Sequence, residues 1–292
     1  MAIDKLQDKI RKMKNPSMVD FSFDPEKIPP HILEESADLC AACERFYAEL
    51  LEGLKTVVPA ARFNMGRFSL LGPEGLSVLQ RLTLLAEELG YYVLLDVPES
   101  LSADHAVYSA NALLVNDCNY HFDGLLITPY IGSDAIKPYA QLLKKKEKDL
   151  FVVLRTGNKT AAELQDLLSG SRLMHMAAAD IANRHGQPLV TRCGYSQVAV
   201  VGPASVADVL KKLRARYQHF FILMDGYDYP NANAKNCSYS FDKLGHGAVA
   251  CASTGILNAW NPDLSDGRDY IQYSVEAAER MKKNLLRYIT IL

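Results

Sequence analysis

The 292-residue sequence lacks the features that mark membrane, secreted or nucleic-acid-binding proteins. It has no apolar stretch near the roughly 20 residues that a membrane-spanning helix needs. Its 32 basic and 34 acidic residues give a formal net charge of −2, so no broad basic surface is available to attract nucleic acid or an anionic membrane. The segment Met1–Lys14 is charged and amphipathic, unlike a secretory signal. We therefore expect a cytoplasmic protein with neither a membrane nor a nucleic-acid partner.

The six cysteines also show no metal-binding pattern. Only Cys40 and Cys43 are close together, within a stretch of helical spacing. No second Cys or His pair follows at the spacing of a zinc site. We interpret these two residues as buried helical thiols and predict no metal site.

Eight short apolar runs, each followed by a segment of helical spacing, organise the chain. The runs are continuous rather than alternating, as expected for strands that are buried on both faces. They are Met18–Phe23, Ala61–Met65, Tyr92–Asp96, Gly124–Thr128, Phe151–Thr156, Val198–Gly202, Phe220–Met224 and Ala248–Ala252. The pattern predicts an α/β fold, a single (β/α)8 TIM barrel, with an open doubly wound sheet as the alternative.

The segments between the runs predict the helices and a single domain over residues 1–292. Helical spacing predicts a short N-terminal helix at 3–14 and a C-terminal helix at about 268–288. Three of the intervening segments read as long helical regions, namely Pro30–Thr56, Ala161–Arg184 and about Ala232–Leu244. In such a barrel the active site lies where the strands end and the following loops begin.

Motifs at several of these strand ends occur in a recognisable order. They are Asp24-Pro25, Leu71-Gly-Pro-Glu-Gly-Leu76, Asp96, Ile127-Thr-Pro-Tyr-Ile-Gly-Ser-Asp134, Thr156-Gly-Asn158, Val200-Val-Gly202 and Ser253-Thr-Gly-Ile-Leu-Asn-Ala-Trp260. Together they resemble the bacterial type 2 branch of the orotidine 5′-monophosphate decarboxylase family. The resemblance covers about residues 4 to 260. It implies a barrel that works as a homodimer and decarboxylates a pyrimidine nucleotide, without a cofactor, in the synthesis of UMP.

The resemblance also implies a charged catalytic array that this sequence lacks in large part. The family carries a Lys on strand two and Asp-x-Lys-x-x-Asp after strand three, whose second Asp serves the neighbouring subunit. Here Asp96 is kept, Pro98 and Leu101 replace the Lys and the second Asp, and Arg62 replaces the strand-two Lys. Arginine keeps the charge but is a poor proton donor. No Lys or Arg lies between Arg81 and Lys137, so a shifted alignment restores no lysine to this motif.

The substrate contacts that the resemblance implies are kept only in part. They correspond to a set of residues at strand ends, namely Asp24, Thr128, Thr156, Asn158, Thr254 and Gly255. Thr254 stands where the family has a phosphate-binding Arg, Pro230 where it has a Gln, and Gly157 where it has a pyrimidine-contacting Ser. Asp225 and Asp228 in the strand-seven loop would repel a phosphate dianion.

Three functional hypotheses follow from this mixture of kept and lost residues. The first is a catalytically degenerate or repurposed barrel that binds another small molecule, nucleotide-like or not, or a partner protein. The second is an active decarboxylase with an atypical site that uses Arg62 and Lys159. The third is a module that forms a heterodimer with a true decarboxylase. The loop Asp225–Tyr229 reads equally as a ligand loop or a plain surface loop, and Asp225 and Asp228 could also hold a divalent cation with Asp96.

Overall fold

A closed barrel of eight parallel strands forms the centre of the computed structural model, which describes residues 1–116, 118–260 and 265–292. The first strand pairs with both the second and the last, and this pairing closes the barrel. The strands are β1 Ser17–Asp20, β2 Ala60–Asn64, β3 Tyr92–Asp96, β4 Gly124–Ile127, β5 Asp149–Val153, β6 Val198–Pro203, β7 Ile222–Asp225 and β8 Ala248–Ala252. The prediction of a (β/α)8 barrel is confirmed, and the open sheet is wrong.

Helices connect the strands and cover the outside of the barrel. They are α1 Ala2–Met13, α2 Pro30–Glu35, α3 Leu39–Leu54, α4 Met65–Ser69, α5 Gly72–Glu88, α6 Ala103–Leu114, α7 Ser133–Lys146, α8 Met174–Gly186, α9 Ala207–Arg216, α10 Ala234–Ser238, α11 Thr254–Leu257 and α12 Tyr270–Leu286. Cys40 and Cys43 lie in α3, where Cys43 is buried. Within the described ranges, no helix is both long enough and apolar enough to span a membrane.

The predicted helical region Pro30–Thr56 is two helices because a polar side chain starts the second one. Asp38 accepts a hydrogen bond from the backbone N–H of Ala41 at 2.9 Å and so caps the N-terminus of α3. The chain is therefore interrupted between α2 and α3, at residues 36–38.

The predicted long helical region Ala161–Arg184 is only partly helical, because α8 begins at Met174. A 3₁₀ turn covers Lys159–Glu163, and Leu168–Ser169 then pairs with Arg172–Leu173 in a short antiparallel hairpin before α8 begins. Gly170 makes the turn with a φ of 65°, a conformation that suits glycine and ends helical geometry.

The predicted helix over about Ala232–Leu244 is too long. Only the five residues of α10, Ala234–Ser238, are helical there. Beyond it, the Asp242 carboxylate accepts the backbone N–H groups of Leu244 and His246, at 2.8 and 2.9 Å. These side-chain bonds replace the helical hydrogen bonds that the same groups would otherwise make.

The interior of the barrel is built from alternate strand residues, which pack on α1 at the amino ends of the strands. Ile3, Leu6 and Ile10 of α1 are buried in the same cluster as inward-facing residues such as Met18, Ala60, Leu94 and Leu223. Side chains two positions apart on a strand share a face. The next inward positions toward the carboxyl ends are therefore those of Asp20, Arg62, Asp96 and Asp225.

Asp149, the first residue of β5, is a fully buried carboxyl group. The hydroxyl of Tyr92 donates a hydrogen bond to its Oδ2 at 2.8 Å, while Oδ1 has no partner among the described residues. Burial raises the pKa of Asp149 well above its ordinary value, and the bond from Tyr92 offsets this only in part. Asp149 therefore keeps its proton to a higher pH in the folded chain than in the unfolded chain.

The substitution Asp149→Asn should remove a pH-dependent loss of stability. In the unfolded chain Asp149 ionises at its ordinary pKa of about 4, whereas its raised pKa in the folded chain delays ionisation to a higher pH. Wild-type stability relative to the variant should therefore fall as the pH rises above about 4, by at most about 1.4 kcal/mol per pH unit. Urea unfolding at several pH values measures this difference.

The variant Asp8→Asn, at an exposed position, serves as the control and should follow the wild type. A difference between wild type and Asp149→Asn that stays constant with pH would contradict the burial argument.

Candidate functional site

Four charged side chains meet at the carboxyl ends of β1, β2, β3 and β7, joined by one amide. We call Asp20, Arg62, Asn64, Asp96 and Asp225 the mouth cluster. The strand register brings them together, because Asp20 pairs with Arg62 and Asn64 pairs with Asp96 across neighbouring strands. The predicted pair of Arg62 and Asp96 is therefore in contact in the structure.

The guanidinium of Arg62 lies at the centre of the mouth cluster. Its Nη2 is 2.7 Å from Oδ2 of Asp96, and its Nη1 is 2.9 Å from Oδ1 of Asp225 and 4.0 Å from Oδ2 of Asp20. Asn64 donates a second hydrogen bond to Oδ2 of Asp96, at 2.7 Å. Only 11% of the Arg62 side chain and 15% of that of Asp96 are exposed, so this is a mostly buried ion pair.

The electrostatics of the cluster keep Arg62 charged. Burial by itself lowers the pKa of Arg62, but the carboxylates of Asp225, Asp20 and Asp96 outweigh it and raise that pKa well above its usual value. Burial also raises the pKa of Asp96 and of Asp225, and the nearby Arg62 offsets these increases only in part. One cation thus faces three carboxylates, and its raised pKa means that it holds its proton too tightly to donate it.

The two positions that replace the expected Lys and Asp lie away from this array. Pro98 is exposed, and 81% of Leu101 is exposed at the start of the segment that leads into α6. Lys159, the other cation considered from the sequence, is exposed in the loop after β5. None of these three residues makes an ion pair with the mouth cluster in the described part of the chain.

The sequence reading missed Asp20 and Lys27. The first strand ends at Asp20 rather than at Phe23, so Asp24 lies beyond it and caps a short 3₁₀ turn. Lys27 is buried, with its Nζ 2.9 Å from Oγ of Ser253 and 3.7 Å from Asp24. Alternation with the apolar Met18 was the available signal for an inward Asp20.

Asp228 occupies the backbone donors that follow β8. Its Oδ2 accepts hydrogen bonds from the backbone N–H groups of Ser253 at 3.0 Å and Gly255 at 2.7 Å. A Cβ at Gly255 would lie 3.0 Å from the Cβ of Asp228, so glycine permits this close approach. Thr254 between them is exposed. A carboxylate of the chain itself therefore fills this anion-binding position.

The remaining predicted contacts, Thr128, Thr156 and Asn158, lie beside the mouth cluster. Thr156 donates its hydroxyl to Oδ1 of Asn158 at 2.6 Å, and its backbone N–H to Oε1 of Gln165 at 2.8 Å. Thr128 and Thr156 line a cavity of about 530 Å³ between the ends of β4 and β5 and helix α8, which we call the side cavity. Leu154, Leu164, Gln165 and His175 also line it.

The alternative of a divalent cation held by Asp96, Asp225 and Asp228 does not match the geometry. Arg62 lies between Asp96 and Asp225, and Asp228 turns to the backbone amides after β8. Among the described residues, no group of three or more His, Cys, Asp or Glu side chains is arranged to hold a metal ion.

Comparison with known proteins extends the likeness over nearly the whole chain. No protein-family model matches it. Orotidine 5′-phosphate decarboxylase of Clostridium novyi is 26% identical over 98% of this chain and 99% of the relative, and that of Petrotoga mobilis is 25% identical over 98% of each. The chain resembles the orotidine 5′-phosphate decarboxylases from end to end.

Solved structures of such decarboxylases have the same fold as this chain. The Leishmania donovani OMP decarboxylase matches with a TM-score of 0.71 and 23% identity, covering 97% of this chain and 99% of that one. The Plasmodium berghei orotidine 5′-monophosphate decarboxylase matches with a TM-score of 0.72 and 13% identity, over 96% and 99%. The resemblance predicted from the strand-end motifs is thus confirmed, and the decarboxylase-like barrel carries Arg62 among three carboxylates at its mouth.

Replacing Arg62 by Met should destabilise the barrel in a pH-dependent way. The change leaves the carboxylates of Asp96, Asp225 and Asp20 without their cation, which should cost about 3 kcal/mol at pH 8. We use the lower end of the range for a broken buried pair because Asp225 is 40% exposed. The loss should be smaller at pH 5, since carboxyl groups of raised pKa take up protons as the pH falls.

Urea unfolding of Arg62→Met and Arg81→Met at both pH values tests this expectation. Arg81 pairs with Glu44 and Glu74 on the surface, so its removal should cost no more than about 1 kcal/mol at either pH. Equal effects of the two substitutions would contradict a central role for Arg62.

Proposed function

We propose that this protein is an orotidine 5′-monophosphate decarboxylase-like barrel that no longer decarboxylates the nucleotide and binds a different small molecule at its mouth. One observation carries the proposal: the mouth cluster holds three carboxylates around an arginine, and Pro98 stands where the resemblance requires the lysine. The assignment of Asp96 and Arg62 as remnants of the catalytic array belongs to this proposal.

The chemistry of decarboxylation supports it. Loss of CO₂ from C6 of the pyrimidine leaves a carbanion that needs a nearby cation and then a proton. A group delivers a proton efficiently when its pKa lies near the working pH. The pKa of Arg62 is raised far above that range, and its Nη1 and Nη2 are already paired with Asp225 and Asp96. Arg62 therefore suits a structural or binding role better than that of a general acid.

The phosphate position supports it as well. In (β/α)8 barrels the loops after strands seven and eight, with a short extra helix, frequently bind the phosphate of the substrate. Here Asp228 occupies the backbone donors of Ser253 and Gly255, and Thr254 supplies no charge. The ring of Tyr229 lies 3.7 Å from where a Cβ at Gly157 would be, so it narrows the space between the loops after β5 and β7. A phosphate dianion would have to displace a carboxylate.

The purified protein should therefore release no CO₂ from orotidine 5′-monophosphate above the uncatalysed background, and calorimetric titration with UMP should give no binding heat. The Clostridium novyi decarboxylase, assayed in parallel, serves as the positive control. Turnover approaching that of the relative would overturn the proposal in favour of an active decarboxylase of pyrimidine synthesis with an atypical site.

We further propose a homodimer formed through the rim of the mouth. Leu101 and Tyr130 are each 81% exposed and line the same cavity, so they form part of one apolar surface. Contiguous exposed apolar surface in a globular protein is typical of an interaction site. A heterodimer with a true decarboxylase would use the same surface, but Leu101 could not supply such a partner with the missing aspartate.

Leu101→Asp should convert the dimer to a monomer in size-exclusion chromatography with light scattering, since the new charge would be buried without a partner. Leu70→Asp is the matched control because Leu70 is 78% exposed but does not line the side cavity. A wild-type chain that runs as a monomer, or dissociation by both variants alike, would contradict this interface.

We propose a cytoplasmic location because the cysteines form no disulfide bonds among the described residues. All six cysteines fall within the described residues, and each is free. Free thiols are typical of proteins that work in reducing compartments.

A further inference from the structure

The side cavity has the size and lining of a small-molecule site. Its volume of about 530 Å³ lies within the usual range of roughly 300 to 1,000 Å³ for ligand pockets. Leu154, Leu164, Met174 and Ala178 form an apolar wall beneath the exposed rim. The mouth cluster does not line this cavity, so it is a separate part of the barrel mouth.

A buried histidine with an unused nitrogen lines the cavity. His175 is 2% exposed, and its Nδ1 lies 2.9 Å from the backbone carbonyl oxygen of Gln165 and 3.1 Å from Oδ1 of Asp166. Arg155 holds Asp166 in place through two hydrogen bonds, at 3.0 and 2.8 Å. The Nε2 of His175 has no hydrogen-bond partner among the described residues.

The partners of His175 determine which chemistry its free nitrogen offers. A carbonyl oxygen only accepts hydrogen bonds, so Nδ1 must carry a proton to bind Gln165. In the neutral imidazole, Nε2 is then an acceptor. The Asp166–Arg155 pair fixes the orientation of the ring, much as a carboxylate bonded to one ring nitrogen orients the histidines of metal sites. An occupant of the cavity would therefore satisfy Nε2 with an O–H or N–H donor.

The charges of the residues that line the side cavity indicate which net charge a ligand there would carry. Among the described residues, no Lys or Arg lines the cavity, and Glu99 is the one carboxylate that does. An anion would find no counter-charge there and would meet Glu99, so a neutral molecule is favoured.

We propose that the side cavity binds a small, neutral, largely apolar molecule whose hydroxyl or N–H group donates a hydrogen bond to Nε2 of His175. This inference rests on the proposed function and deepens it, since it names the class of ligand that the redirected barrel takes. The apolar wall contacts the apolar part of the molecule, and Nε2 of His175, oriented through Asp166, accepts the hydrogen bond.

Titration calorimetry with phenol, toluene and benzoate tests the assignment. Phenol should bind roughly 3- to 10-fold more tightly than toluene, the effect of one neutral hydrogen bond, and benzoate should bind more weakly than phenol. In nitrogen-detected NMR of the imidazole, the Nε2 resonance of His175 should shift with phenol and stay in place with toluene.

Two variants separate binding from folding. His175→Phe should abolish the preference for phenol over toluene. Ala178→Trp should fill the apolar wall and remove the binding of both, with the contacts of His175 intact. Equal affinity of phenol and toluene for the wild type, tighter binding of benzoate, or binding that persists in Ala178→Trp would overturn the inference. Turnover of orotidine 5′-monophosphate would overturn the proposed function alone, because the affinities for phenol and toluene are measured independently of it.

Discussion

The guanidinium of Arg62 is the group on which the arrangement of the barrel mouth depends. Three carboxylates from β1, β3 and β7 converge there because the inward face of each strand carries an acidic residue at the same level. A single cation is bonded to Asp96 and Asp225 and lies within 4.0 Å of Asp20. Its attraction offsets the mutual repulsion of the three carboxylates in this mostly buried site. The same pairing makes Arg62 unsuited to donating a proton. Stability of the mouth and the retention of the proton on Arg62 thus have one physical cause.

The other changes at the mouth are consistent with that cause. Asp228 accepts hydrogen bonds from the two backbone N–H groups after β8, and Gly255 allows its approach. Pro98 and Leu101 put an exposed ring and an exposed alkyl chain where a reacting cation and a partner carboxylate are expected. Together they leave a mouth with more carboxylates than cations, whereas the side cavity has a largely apolar wall and one lining carboxylate, Glu99.

Much of the fold could be predicted from the sequence, because continuous apolar runs separated by helical segments are compatible with few architectures. The runs Tyr92–Asp96 and Ala248–Ala252 matched the observed strands to the residue. Prediction failed where a local polar bond or a glycine overrides helical spacing, as at Gly170 and Asp242. Of the candidate site, Arg62 and Asp96 were identified through the family motifs. Asp20 was not, because the predicted end of β1 lay three residues too late, at Phe23, and Asp24 was therefore assigned to the strand end.

The amino-acid sequence by itself determined the barrel, its resemblance to the decarboxylases and the absence of a lysine from the strand-three motif. These properties depend on the order and type of residues along the chain. Only the tertiary structure decided which charges meet, that Asp228 lies on the backbone amides after β8, and that His175 keeps an unpaired Nε2 beside an apolar cavity. Those facts depend on strand register and loop path, which bring together residues more than 100 positions apart, such as Arg62 and Asp225.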